Sequence, residues 1–246
     1  MRPFAPLLAL MIAAGIGVAV PPLVLAAQPA ASSPTSLTPF ARQKAELLLR
    51  DKLACLGCHR LGREGGATAP SLDSVRTHRS PAYIAAIITD PQRVVPGAAM
   101  PMARMAPSDR ALIVRYFGGD PSATFTSTFT ATNAPVAPVA PRDTSAAALY
   151  GRWCAQCHGA KGNGDGPNAT HLPVAPAKHA DAAATSLRSD DALYDTIHGG
   201  GAIMNRSARM PAFGGTLAPR EIRSLVRYIR ELCRCGGPAW SRGGGA

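Results

Sequence analysis

Two pentapeptides stand out by residue type and spacing: Cys55-Leu56-Gly57-Cys58-His59 and Cys154-Ala155-Gln156-Cys157-His158. Two thiols on one short turn can reach the two vinyl groups along a haem edge, and the imidazole that follows can then turn under the iron. Such a CxxCH run is read as the attachment site of a c-type haem. On this reading Cys55, Cys58, Cys154 and Cys157 form the thioether bonds, His59 and His158 are the proximal iron ligands, and the chain carries two covalent haems. The rival chemistries for a Cys pair are structural zinc and a redox CxxC. Zinc needs further Cys or His at finger spacing, and no second pair lies near either motif. A thioredoxin-like motif needs a βαβ context that is missing here.

Each motif belongs to one copy of a longer pattern. Residues 41 to 118 and 145 to 235 both run from CxxCH through a turn-rich stretch to a Met-Pro pair and a closing amphipathic helix. The closing helices align without gaps, Pro107 with Pro219, Asp109 with Glu221, Val114 with Val226 and Tyr116 with Tyr228. Thr38-Pro39 opens a helix running into Cys55, and Ser145 opens a shorter one into Cys154. Ser80-Pro81 caps a helix that Asp90-Pro91 stops, while Ser189 with Asp190 and Asp191 starts one that ends at Gly199 to Gly201. In the last helix Ile222, Leu225, Val226, Ile229 and Leu232 are spaced as one buried face, and no convincing strand is present. The segment 119–144 is rich in Pro, Ala and Thr and reads as a linker. As polyproline II, its Pro-rich part would hold the halves on the order of 25 Å apart, and a flexible tether fits the composition equally well.

Both halves resemble class I cytochrome c domains, of the bacterial periplasmic electron-transfer type. The resemblance rests on CxxCH near the start, Met100-Pro101 and Met210-Pro211 before the closing helices, and the runs Asp191 to Gly200 and Met210 to Gly215. It implies an all-α fold of two tandem cytochrome c domains, residues 38–118 and 145–235, each with helices wrapped round one haem. It further implies Met210 as the sixth ligand of the second haem, with Met204 as the rival, and Met100 for the first, with Met102 next and Met105 a further competitor. Thioether ligation would raise the potential relative to bis-imidazole ligation. The family also uses a Pro carbonyl to orient the proximal imidazole, a place that Pro70 fits and Pro176 fits less well. Tyr116 and Tyr228 are expected where the closing helix meets the opening helix. His78, His171, His179 and His198 are expected to be surface or structural, with His78 the alternative ligand of the first haem.

Two halves of under 100 foldable residues are marginal alone, and a large apolar cofactor would complete each core. Residues 1–27 carry only Arg2 as a charge and read as a signal peptide or an uncleaved membrane anchor, which places the rest in the periplasm; 236–246 is a Gly-rich tail. The net charge of +11 comes without interleaved aromatic and basic residues or any nucleic-acid motif, so nucleic acid is excluded as partner. An acidic redox protein or an anionic membrane surface remains. Arg223, Arg227, Arg230 and Arg234 form a stripe on the last helix, either a solvated face or a docking patch. Cys233-Arg234-Cys235 lacks a following His and is no haem site; a bridge to a partner, a metal and an incidental pair all stay open. The expected function is one-electron transfer without catalysis, free or as the cytochrome subunit of a dehydrogenase or oxidase. A dihaem peroxidase is the alternative.

Overall fold

The computed structural model describes residues 37–118 and 143–242. The signal or anchor at 1–27, most of the 119–144 linker and the last four residues of the tail lie outside the described residues. The described residues fall in one compact unit and are rich in helix. Among the described residues the only strands are a two-residue hairpin, β1 (Arg60–Leu61) with β2 (Glu64–Gly65), directly after the first motif. It is too short to leave a period-two pattern in the sequence. Gly62 turns it at φ +60°, and the Gly62 N–H donates to the Asp73 carboxylate.

In the first half, α1 (Pro39–Leu47) begins where Thr38 accepts from the Ala41 N–H. It widens into a π turn over Leu48–Lys52 and breaks at Leu53, so the predicted unbroken helix into Cys55 becomes three segments, the third a 3-10 turn at Ala54–Gly57. After α2 (Val75–His78) comes α3 (Pro81–Thr89), which Ser80 caps through the Tyr83 N–H. Asp90 does stop it, and then caps a further turn, α4 (Pro91–Val94). The closing helix is α5 (Pro107–Gly118). Ala45, Leu49, Ile84, Ile113, Val114 and Phe117 make this half's core, with Cys55 and Met105 packed against it.

In the second half, Ser145 caps α6 (Ala146–Trp153) through the Ala148 N–H, and α7 (Ala155–His158) carries the second motif. There follow α8 (Ala182–Thr185), α9 (Asp190–Gly199) capped by Ser189, and α10 (Pro219–Cys233). The α10 start is fixed by Glu221, whose carboxylate accepts from the Ala218 N–H at 2.7 Å. Its apolar face, Ile222, Leu225, Val226 and Ile229, is buried against α6 and α9 as the spacing predicts.

Both opening and closing helices meet through the expected tyrosines. Tyr116 on α5 donates to Glu46 of α1 at 3.3 Å and lies under Arg42, while Tyr228 on α10 packs its ring 5.2 Å from Tyr150 of α6. The halves also touch directly. Arg209 donates to the Leu49 carbonyl, Met102 N–H to Thr216 Oγ1 at 2.9 Å, and Arg152 to the Gly97 and Ala98 carbonyls. A linker only limits separation; the polar contacts and close-packed glycines of this seam bring the halves together, against the spaced arrangement a stiff polyproline would impose.

Candidate haem sites

The CxxCH geometry follows from a tight backbone turn. In the first motif the His59 N–H bonds the Cys55 carbonyl at 2.9 Å, and in the second the His158 N–H bonds the Cys154 carbonyl at 2.9 Å. Each turn therefore gathers its two thiols and its imidazole in one place. His59 Nδ1 meets the Pro70 carbonyl at 2.7 Å, the partner the resemblance implies. His158 Nδ1 meets Ala177, not Pro176, at 2.8 Å. The loop between the second motif and α8 brings the carbonyl one residue later into line, and Pro176 lines the neighbouring cavity instead. A carbonyl can only accept, so Nδ1 carries the proton in both rings and Nε2 keeps its lone pair for a metal. Burial pushes both imidazoles below their ordinary pKa, opposed by these hydrogen bonds, which favours the neutral, ligating form.

The thiols are shielded too. Burial pushes Cys55 and Cys58 up to about 11 and Cys154 up to about 12. Cys157 is raised by burial as well, and a hydrogen bond with Asn168 works the other way.

A cavity of about 780 Å³ opens beside the second motif, within the size range of cofactor sites. Cys154, Cys157, His158 and Met210 all line it. Trp153 lines it as well, and its indole N–H is buried with no partner among the described residues. Arg188 and Arg206 stand at the same cavity, and burial, with the charge of Arg206 nearby, pushes the Arg188 guanidinium below its ordinary pKa. Apolar walls, an orphaned donor and paired cations fit a flat apolar macrocycle with anionic carboxylates. Met204 is more than a third exposed and does not line the cavity, which separates it from Met210.

The three methionines of the first half occupy different settings. Met100 offers its carbonyl to Gln92, Met102 ties its backbone to Thr216, and Met105 packs against the core beside Cys55. His78 and His171 are exposed, His78 bonding the Ser74 carbonyl, and His198 stacks on Tyr194. His179 is structural in a way the sequence did not signal. Its ring stacks on His158 at 4.0 Å and bonds the Tyr150 hydroxyl at 3.0 Å. The Arg stripe is not uniform either: Arg230 is half-buried, pairing with Asp190 and bonding the Thr185 and Arg188 carbonyls, so it braces α10 rather than facing a partner. Cys233 and Cys235 are disulfide-bonded to each other across Arg234, which takes a left-handed φ of +51°.

Residues 141–229 match the family described as cytochrome c oxidase, cbb3-type, subunit III. That stretch holds every residue that lines the cavity, with the second motif among them, and is similar to a cytochrome c domain of that kind. No curated protein matches the chain. Among solved structures, a chain of the Kuenenia stuttgartiensis reducing HAO-like protein complex Kustc0457/Kustc0458 is 18% identical, covering 81% of this chain and 98% of its own. Its TM-score is 0.30, and at that value the likeness carries no argument.

Proposed function

We propose that the chain is an exported dihaem cytochrome c that carries single electrons between redox proteins, built from tandem cytochrome c domains at 38–118 and 145–235. The observation that supports this most is the equivalence of the two motifs: both imidazoles present Nδ1 to a backbone carbonyl, at 2.7 and 2.8 Å, beside two buried thiols. Cys55, Cys58, Cys154 and Cys157 hold the haems covalently and His59 and His158 ligate from the proximal side. Met210, which lines the same cavity as His158, would close the second site. Met100 closes the first by its Met-Pro pair, with Met102 and Met105 as its competitors. The haems supply reversible one-electron chemistry at iron. The protein's part is to fix the ligands, exclude water and present a basic surface to which exposed Arg223 and Arg227 contribute. An acidic redox protein is the partner that such a surface attracts. The N-terminal segment delivers the chain to the periplasm and, if retained, anchors it to the membrane. Membership of a larger oxidoreductase complex as its cytochrome subunit is favoured by the family match.

The test is ligand binding by the reduced protein. Two irons with strong axial ligands on both sides leave no place for a substrate, so carbon monoxide binds poorly and peroxide turnover is negligible. Stoichiometric carbon monoxide binding to one haem, together with peroxide turnover at neutral pH, overturns the carrier reading and makes the chain an enzyme.

A further inference from the structure

Asn168 belongs to the second half by sequence, yet its side chain is spent on the first. It is wholly buried, 0% exposed. Its Oδ1 accepts from the Ala67 N–H at 2.9 Å; its Nδ2 donates to the Gly57 carbonyl at 3.1 Å and to Thr68 Oγ1 at 2.6 Å. On its own side its N–H bonds the Gln156 carbonyl at 2.9 Å. Gly57 lies between Cys55 and Cys58, and Gln156 between Cys154 and Cys157. One residue therefore links the interiors of both CxxCH turns, by its side chain to the first and by its backbone N–H to the second.

The surroundings are shaped to admit it. A Cβ on Gly66 would stand 2.6 Å from the Gly57 carbonyl oxygen and 2.8 Å from Asn168 Oδ1. A Cβ on Gly57 would run into the Arg209 carbonyl, immediately before Met210. The second cysteines of the two motifs, Cys58 and Cys157, line one small pocket together with Gly57 and Gln156. An ordinary buried Asn serves its own loop, whereas this one uses both ends of its amide across a seam between halves.

We infer that Asn168 is a positioning residue for electron exchange between the two sites, clamping one haem-attachment turn against the other. This rests on the two-haem reading. The exchange it serves is balanced without chemistry at the clamp: one electron leaves a reduced iron and reduces an oxidised one, with no proton moved and no bond made. Removing the amide leaves the Gly57 carbonyl buried without its partner and unties the Ala67 N–H, so the turns must part to let water reach that carbonyl.

The experiment uses the haem-loaded full chain and its Asn168→Leu and Thr68→Val variants. Intact mass first counts the haems on each. Partial reduction by a radiolytic pulse, at a dilution that suppresses exchange between molecules, then gives the intramolecular rate, and amide hydrogen exchange reports the Ala67 N–H. In Asn168→Leu the rate falls by about tenfold or more, a loss of the kind that small misplacements of reacting groups bring. Ala67 loses protection while α1 and α10 keep theirs, and neither haem's spectrum changes. Thr68→Val, which removes one of the clamp's bonds, gives a smaller fall in the same direction and serves alone if the Leu variant does not mature. Two haems with an unchanged rate overturn the inference while the function stands, as does a loss traced to altered ligation of one haem. Fewer than two haems on the wild-type chain overturns the functional reading and the inference with it.

Discussion

Met210 shares the 780 Å³ cavity with His158 and both thiols of its motif, where a thioether can close the coordination. Met210→His should keep the second haem low-spin and lower its potential, since imidazole replaces thioether. Spectroelectrochemical titration checks this, and an unchanged potential and spectrum would show that Met210 is not the ligand. CxxCH and Met-Pro were legible because covalent attachment and ligation demand fixed residue types at fixed spacing. Asn168, His179 and the carbonyl of Ala177 were not, because their roles depend on which distant backbone comes near. A sequence position reports its residue type, and Ala177 contributes only a carbonyl, which every residue has. Gly57 sits in plain view inside the first motif, but its need for a bare Cα arises from Arg209, far along the chain.

At the scale of elements, caps and apolar spacing predicted most helices because both act locally. Ser80, Ser145 and Ser189 each accept from the N–H three residues on, as their positions before the helices implied. The failures are where tertiary packing overrides local preference. The opening helix of the first half loosens into a π turn at Leu48–Lys52, where Arg209 of the other half bonds the Leu49 carbonyl. The Arg stripe of α10 looked uniform by spacing, yet α9 supplies Asp190 to only one of its members. The apolar face of α10 is the element on which the second half most depends. Ile222 is fully buried in that core, so Ile222→Ala should cost about 2–5 kcal/mol. Arg227→Ala, at an exposed position of the same helix, should stay within about 0.5 kcal/mol of wild type. Denaturant unfolding of the haem-loaded protein, followed by far-UV circular dichroism, distinguishes the two; equal losses would mean that α10 is not held by its buried face.

At the scale of the molecule, the internal repeat predicts two similar halves and says nothing of the contact between them. Two halves joined by a Pro-rich segment read as separate bodies, whereas the described residues fall in one compact unit whose seam joins one CxxCH turn to the other through Asn168, and the Met102 segment to the Thr216 segment. That arrangement gives the proposed carrier two sites close together in one framework. Everything in this account depends on both CxxCH turns, equivalent in their backbone and imidazole geometry, bearing haem. The most direct measurement is the intact mass of the chain after denaturation, purified from a host that performs c-type maturation, beside a variant in which Cys154 and Cys157 are both replaced by alanine. Two haems on the wild-type chain and one on the variant are predicted. One haem on the wild type and none on the variant, or haem that acid-acetone strips from either, would contradict it.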